Sequence, residues 1–127
     1  MTVKLSTTIN NIERDVVNSE NKQLLVQFFD FMKRIGTSEK YQNNNLKALI
    51  VYSKFLGPSI SFYEIENKNQ VISFLDTKIK NSEDDPDKRW ITTWNDYLVR
   101  IKYFYKIHIL LLLVNLLFPI IHFQDMD

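Results

Sequence analysis

The chain has 127 residues, a net charge of +1 and no cysteine, which fits one domain and excludes disulfides, zinc fingers, iron–sulfur clusters and thiol catalysis. Two isolated glycines, Gly36 and Gly57, leave no phosphate-binding glycine loop and no dinucleotide fingerprint; with three prolines they encode too few tight turns for a many-stranded sandwich or barrel. At 45% apolar and 24% charged residues the composition is globular, and the near-neutral balance means that any basic surface must be local.

In chain order, residues 1–18 read as a polar lead-in, ordered in part at most, with a weak helical pattern at Ile9, Ile12, Val16 and Val17. The first twenty residues hold no apolar signal core, so a cytoplasmic location is expected. The spacing of Leu24, Leu25, Phe28, Phe29, Met32 and Ile35 predicts a first helix over 19–35, with Ser19 as its cap and Gly36 as its end. A second helix is predicted over 38–56, capped by Ser38 and stopped by Gly57-Pro58. Its buried stripe is Leu46, Leu49, Ile50, Tyr52 and Leu56. Residues 58–66 read as an extended connector pinned by Ile60, Phe62 and Ile65. A third helix over 67–80, capped by Asn67, turns Val71, Phe74, Leu75 and Ile79 inward. A fourth opens at Asp85 as cap and Pro86 as first helical residue, with Asp87 at its positive end. It carries the stripe Trp90, Ile91, Trp94, Leu98, Ile101, Phe104 and Tyr105. From Ile107 onward the amphipathic pattern gives way to an apolar tail over 107–127.

The charge is uneven. The second helix holds Lys40, Lys47 and Lys54 against Glu39, and the fourth holds Lys88, Arg89, Arg100, Lys102 and Lys106 against Asp87 and Asp96. Two basic helices facing one side can track a phosphate backbone, with Asn43, Asn44, Thr92 and Thr93 as neutral donors to phosphates or base edges. A solvated bundle face gives the same census, so charge by itself leaves both readings open. The aromatic stripe of the fourth helix reads as core. His108 and His122 lie in the apolar tail, away from any cluster of carboxylates, so no metal site or cofactor is expected. The tail itself reads as a helix extension, an oligomer contact, a membrane anchor or a truncation, the span being at the lower limit for a membrane helix and interrupted by His108, Asn115, Pro119 and His122.

Over residues 21–106 the sequence resembles the N-terminal core-binding, SAM-like domain of tyrosine recombinases, the phage-integrase family, and its archaeal branch in particular. The residues that carry the resemblance are Lys22 through Phe29, then Gly36-Thr37-Ser38-Glu39-Lys40 with Leu46, Leu49, Tyr52, Phe55, Leu56 and Gly57. Ile65-Glu66-Asn67 with Val71, Phe74 and Leu75 follow, and then Trp90, Thr93, Leu98, Ile101, Phe104 and Tyr105. The resemblance implies an all-α fold, a four-helix orthogonal bundle with a long C-terminal helix. It also implies one half of a clamp on double-stranded DNA, contacted through the second and fourth helices. Carried over by position, the contacts fall on Lys40, Asn43, Asn44, Lys47, Lys88, Arg89, Thr92, Thr93, Arg100 and Tyr103.

The family's chemistry resides in a second domain with two Arg, a Lys, a His-x-x-Arg element and a nucleophilic Tyr. Neither His108-Ile-Leu-Leu nor His122-Phe-Gln-Asp supplies His-x-x-Arg, and no Arg follows Arg100. The resemblance therefore implies a DNA-binding module without strand-cleavage activity of its own, partnered by DNA and by a separate catalytic integrase domain or a second copy of itself. The rival expectation is a small helical interaction protein whose apolar tail dimerises or anchors it to a membrane.

Overall fold

The computed structural model describes residues 4–65 and 67–117. Every regular element among them is helical, and the protein is all-α. In chain order these are α1 (Leu5–Asp15), α2 (Ser19–Arg34), α3 (Glu39–Leu56), α4 (Lys68–Leu75) and α5 (Trp90–Leu117), with 3-10 turns at Phe62–Glu64 and Asp76–Lys78.

Side-chain caps set most of the helix starts. The Asn18 side chain accepts from the Asn21 amide at 3.0 Å and begins α2, so the cap lies one residue before Ser19. Ser38 accepts from the Tyr41 amide at 3.1 Å and begins α3; Gly57 ends it at φ 85°, in the left-handed region open to glycine. Asn67 and Gln70 form a reciprocal capping box at the start of α4.

Three segments differ from the sequence reading. The expected lead-in is a formed helix: Thr8, Ile12 and Val16 recur every fourth residue and are buried, and α1 packs mainly on α3. The third helix ends at Leu75 and tightens into the Asp76–Lys78 turn, where the Thr77 hydroxyl donates to the Phe74 carbonyl. Ile79, expected inward, is exposed. The fourth helix begins at Trp90 rather than Pro86. Asn81 folds residues 81–85 into a turn by accepting from the Asp84 amide and, through its carbonyl, from the Asp85 amide. Lys88 then takes φ 54°, which a helix interior excludes. Asp85 still caps, but across that turn: its carboxylate accepts the Trp90 amide at 2.8 Å.

The core is built from all five helices, with Leu25, Met32, Leu46, Leu49, Tyr52, Phe74, Leu75, Ile101 and Phe104 fully buried. Phe62 brings the connector into it, between the rings of Tyr52 and Phe104. The connector backbone is held by fully buried Asn21, whose side chain accepts from the Phe62 amide at 2.7 Å and donates to the Ile60 carbonyl at 3.0 Å. Ile60 itself is exposed, so the pin is its carbonyl and not its side chain. α5 runs on through residues 107–117 as one continuous helix, so no break in secondary structure marks the start of the apolar tail. Residues 118–127 of that tail lie outside the described residues. Among the described residues no helix is long and apolar enough to cross a membrane.

Candidate nucleic-acid interface

α3 and α5 pack on one another. Tyr41 meets Tyr103 edge to face, with ring centroids 5.6 Å apart. One turn further along α3, Asn45 meets Arg100, and near its end the Tyr52 hydroxyl lies 3.4 Å from that of Tyr105. Where the two helices diverge, they leave a groove of about 620 Å³. It brings together five of the residues selected from the sequence: Asn44 and Lys47 on α3, and Thr92, Thr93 and Arg100 on α5. From Thr92 to Arg100 the groove follows α5 for a rise of about 12 Å.

Arg100 is the fixed point of this groove. Its Nε donates to Asp96 Oδ2 at 2.9 Å, one helical turn back, and its Nη1 donates to Asn45 Oδ1 at 3.3 Å. Asn45 is fully buried and in turn donates to the Tyr41 carbonyl at 3.0 Å. The guanidinium is therefore oriented before any ligand arrives, and its side chain is 17% exposed. A planar cation held in place is suited to phosphate, because less side-chain entropy is lost on binding.

Asp96 also lines the groove and partly offsets Arg100. In the sequence Asp96 stands as one acid against the basic residues of its helix, and the i, i+4 spacing to Arg100 is the signal of their contact. Tyr97, Ala48 and Val51 complete the lining and were not singled out from the sequence. Burial, and secondarily the Asp96 charge, raise the Tyr97 phenol above its ordinary pKa, so it borders the groove as a neutral hydroxyl.

The remaining expected contacts are dispersed. Lys88 and Arg89 are exposed in the turn ahead of α5; Arg89 stands 3.8 Å from Asp87 in a highly exposed pair, which holds it weakly. Lys40 is exposed on the first turn of α3. Its neighbour Tyr41 meets Tyr103, which places it well along α5 from Lys88 and Arg89. Tyr103 is half-buried, with its ring against Phe28 and Tyr41. Asn43 does not belong to this face. It is buried against α1, where the Thr8 hydroxyl donates to its side-chain oxygen. The helical turn separates it from Asn44 by about 100°, enough to move it from the groove to the core.

Among the described residues no group of three His, Asp or Glu side chains comes together to hold a metal ion. No family model, curated protein or solved structure matches the chain.

Proposed function

We propose that this protein is a DNA-binding module of the kind found in integrases and site-specific recombinases: a SAM-like core-binding bundle, formed here by α2 to α5, that grips duplex DNA without strand-cleavage chemistry of its own. The observation that carries the reading is the α3–α5 groove, where the fixed Arg100 guanidinium, Lys47, Asn44, Thr92 and Thr93 share one concave surface. The resemblance of residues 21–106 to that domain supports it from the sequence.

In this reading Lys47 and Arg100 neutralise phosphates in the groove, and Thr92, Thr93 and Asn44 donate to phosphate oxygens or base edges. Lys88 and Arg89 extend the contact past the start of α5, and Lys40 from the first turn of α3. Asp96 limits affinity by repelling the backbone while it orients Arg100. With few cations in play, binding is weak and depends steeply on salt. The catalytic Arg, His-x-x-Arg and Tyr elements of the family have no counterpart in these 127 residues, so in this reading the module contributes grip and not cleavage.

The test is titration of a labelled 20-base-pair duplex with the protein and with the Lys47→Ala/Arg89→Ala variant at low salt. Each lost phosphate contact is worth about tenfold at roughly 50 mM salt, so the variant should bind more than tenfold more weakly with its melting temperature unchanged. Equal binding by the two proteins would refute the proposal.

A further inference from the structure

A second groove lies on another flank of α5, between that helix and α4, with a volume of about 630 Å³. No residue lines both grooves. Its walls are Val71 and Ile72 of α4 and Trp94, Leu98, Tyr105 and Ile109 of α5. Ile109, at the end of this lining, is 55% exposed. Trp94 is held in place by its indole N–H, which donates to Asp76 Oδ1 at 3.3 Å.

Three lysines border this apolar floor: Lys68 on α4, and Lys102 and Lys106 one turn apart on α5. All three are exposed, and among the described residues none of them forms an ion pair. The apolar residues Trp94, Leu98, Ile101, Tyr105 and Ile109 follow 3-4 helical spacing along the groove, a rise of about 22 Å. That length matches four turns of a second helix. A duplex is a poor occupant, because the floor offers apolar side chains where phosphates need donors. Cations on both walls select against a basic partner and favour an acidic one.

We propose that the α4–α5 groove docks an amphipathic helix of a partner protein, one whose apolar stripe is flanked by Asp and Glu. Leu-type side chains at i, i+4, i+7 and i+11 of that helix fill the floor, and its flanking carboxylates pair with Lys68 on one side and Lys102 and Lys106 on the other. The site does not rest on the DNA-binding reading, since the two grooves share no residue and the floor of this one is apolar.

Two synthetic, fluorescein-labelled 16-residue helical peptides test this. Both carry the same leucine stripe, one flanked by Glu and the other by Lys, and each is titrated against the full chain by anisotropy. The Glu-flanked peptide should bind saturably and at least tenfold more tightly than the Lys-flanked one. Lys102→Glu/Lys106→Glu should invert that preference, and Ile109→Asp should weaken both peptides with the circular dichroism and melting temperature unchanged. Equal binding of the two peptides, or a preference indifferent to the double charge reversal, would overturn the proposal. So would sedimentation showing a homodimer that Ile109→Asp dissociates, because the groove would then belong to a second copy.

Discussion

Replacing Asn21 probes how the connector between α3 and α4 is held to the bundle. The residue is fully buried, and its amide satisfies two backbone groups some forty positions away in sequence, the Phe62 N–H and the Ile60 carbonyl. Asn21→Ala removes both bonds. The Phe62 amide is then left in the interior without an acceptor, which costs about 1–3 kcal/mol. The Ile60 carbonyl is nearer to solvent, so its loss adds about 0.5–1.5 kcal/mol. The sum is about 1.5–4.5 kcal/mol. With a urea dependence of about 2 kcal/mol per molar, the middle of the range for small domains, the unfolding midpoint should fall by about 1–2 M. Asn21→Leu restores volume but no polar partner, and should be destabilised to within about 1 kcal/mol of the alanine variant if hydrogen bonding and not packing dominates. Urea titrations followed by far-ultraviolet circular dichroism measure both, with the slope expected to stay constant. A midpoint shift below about 0.3 M, or a leucine variant as stable as the parent, would refute the reasoning.

Three further outcomes follow from the same geometry. Asp85→Ala removes the carboxylate that caps the Trp90 amide; it should cost about 1 kcal/mol and raise hydrogen exchange at Trp90 to Thr93 while the centre of α5 stays protected. Asp96→Asn deletes the acid from the α3–α5 groove but keeps an acceptor for Arg100; it should tighten duplex binding about two- to fivefold at low salt, measured by anisotropy, as a charge at this range is worth about 0.5–1 kcal/mol near solvent. His108 sits against the rings of Tyr63 and Phe104 with its Nε2 buried and, among the described residues, without a hydrogen-bond partner, and this burial lowers its pKa below the ordinary imidazole value. The unfolded chain therefore takes up the proton first, so stability is full above the ordinary imidazole range and falls as pH drops through it; melting curves between pH 8 and 5 should show a decline that His108→Gln flattens.

The helices of the core were legible because their apolar residues recur at helical spacing and because Ser38, Gly57 and Asn67 are chemically suited to ends. What escaped the sequence was set by long-range partners. α1 has few strongly apolar residues, and its order comes from α3, which buries Thr8, Ile12 and Val16. Pro86 and Asp87 fit a helix start by themselves, but the turn folded around Asn81 and the left-handed Lys88 delay α5 to Trp90. At the candidate site, the charge pattern located Lys47 and Arg100 on facing helices. It could not distinguish Asn43 from Asn44, because adjacent helical residues point about 100° apart and the presence of α1 decides which of them is buried. Nor could it show that Asn45, a fully buried amide, orients the arginine from the opposite helix.

The salt dependence of duplex binding tests the central claim most directly. If Lys40, Lys47, Arg100, Lys88 and Arg89 engage phosphates, with Asp96 offsetting part of one contact, about four to five phosphates are neutralised. A plot of log K against log salt between about 25 and 200 mM should then be linear with a slope of about −3.6 to −4.5. Lys47→Ala should lower its magnitude by about one. A slope near zero, or one that Lys47→Ala leaves unchanged, would contradict the assignment of the α3–α5 groove to nucleic acid.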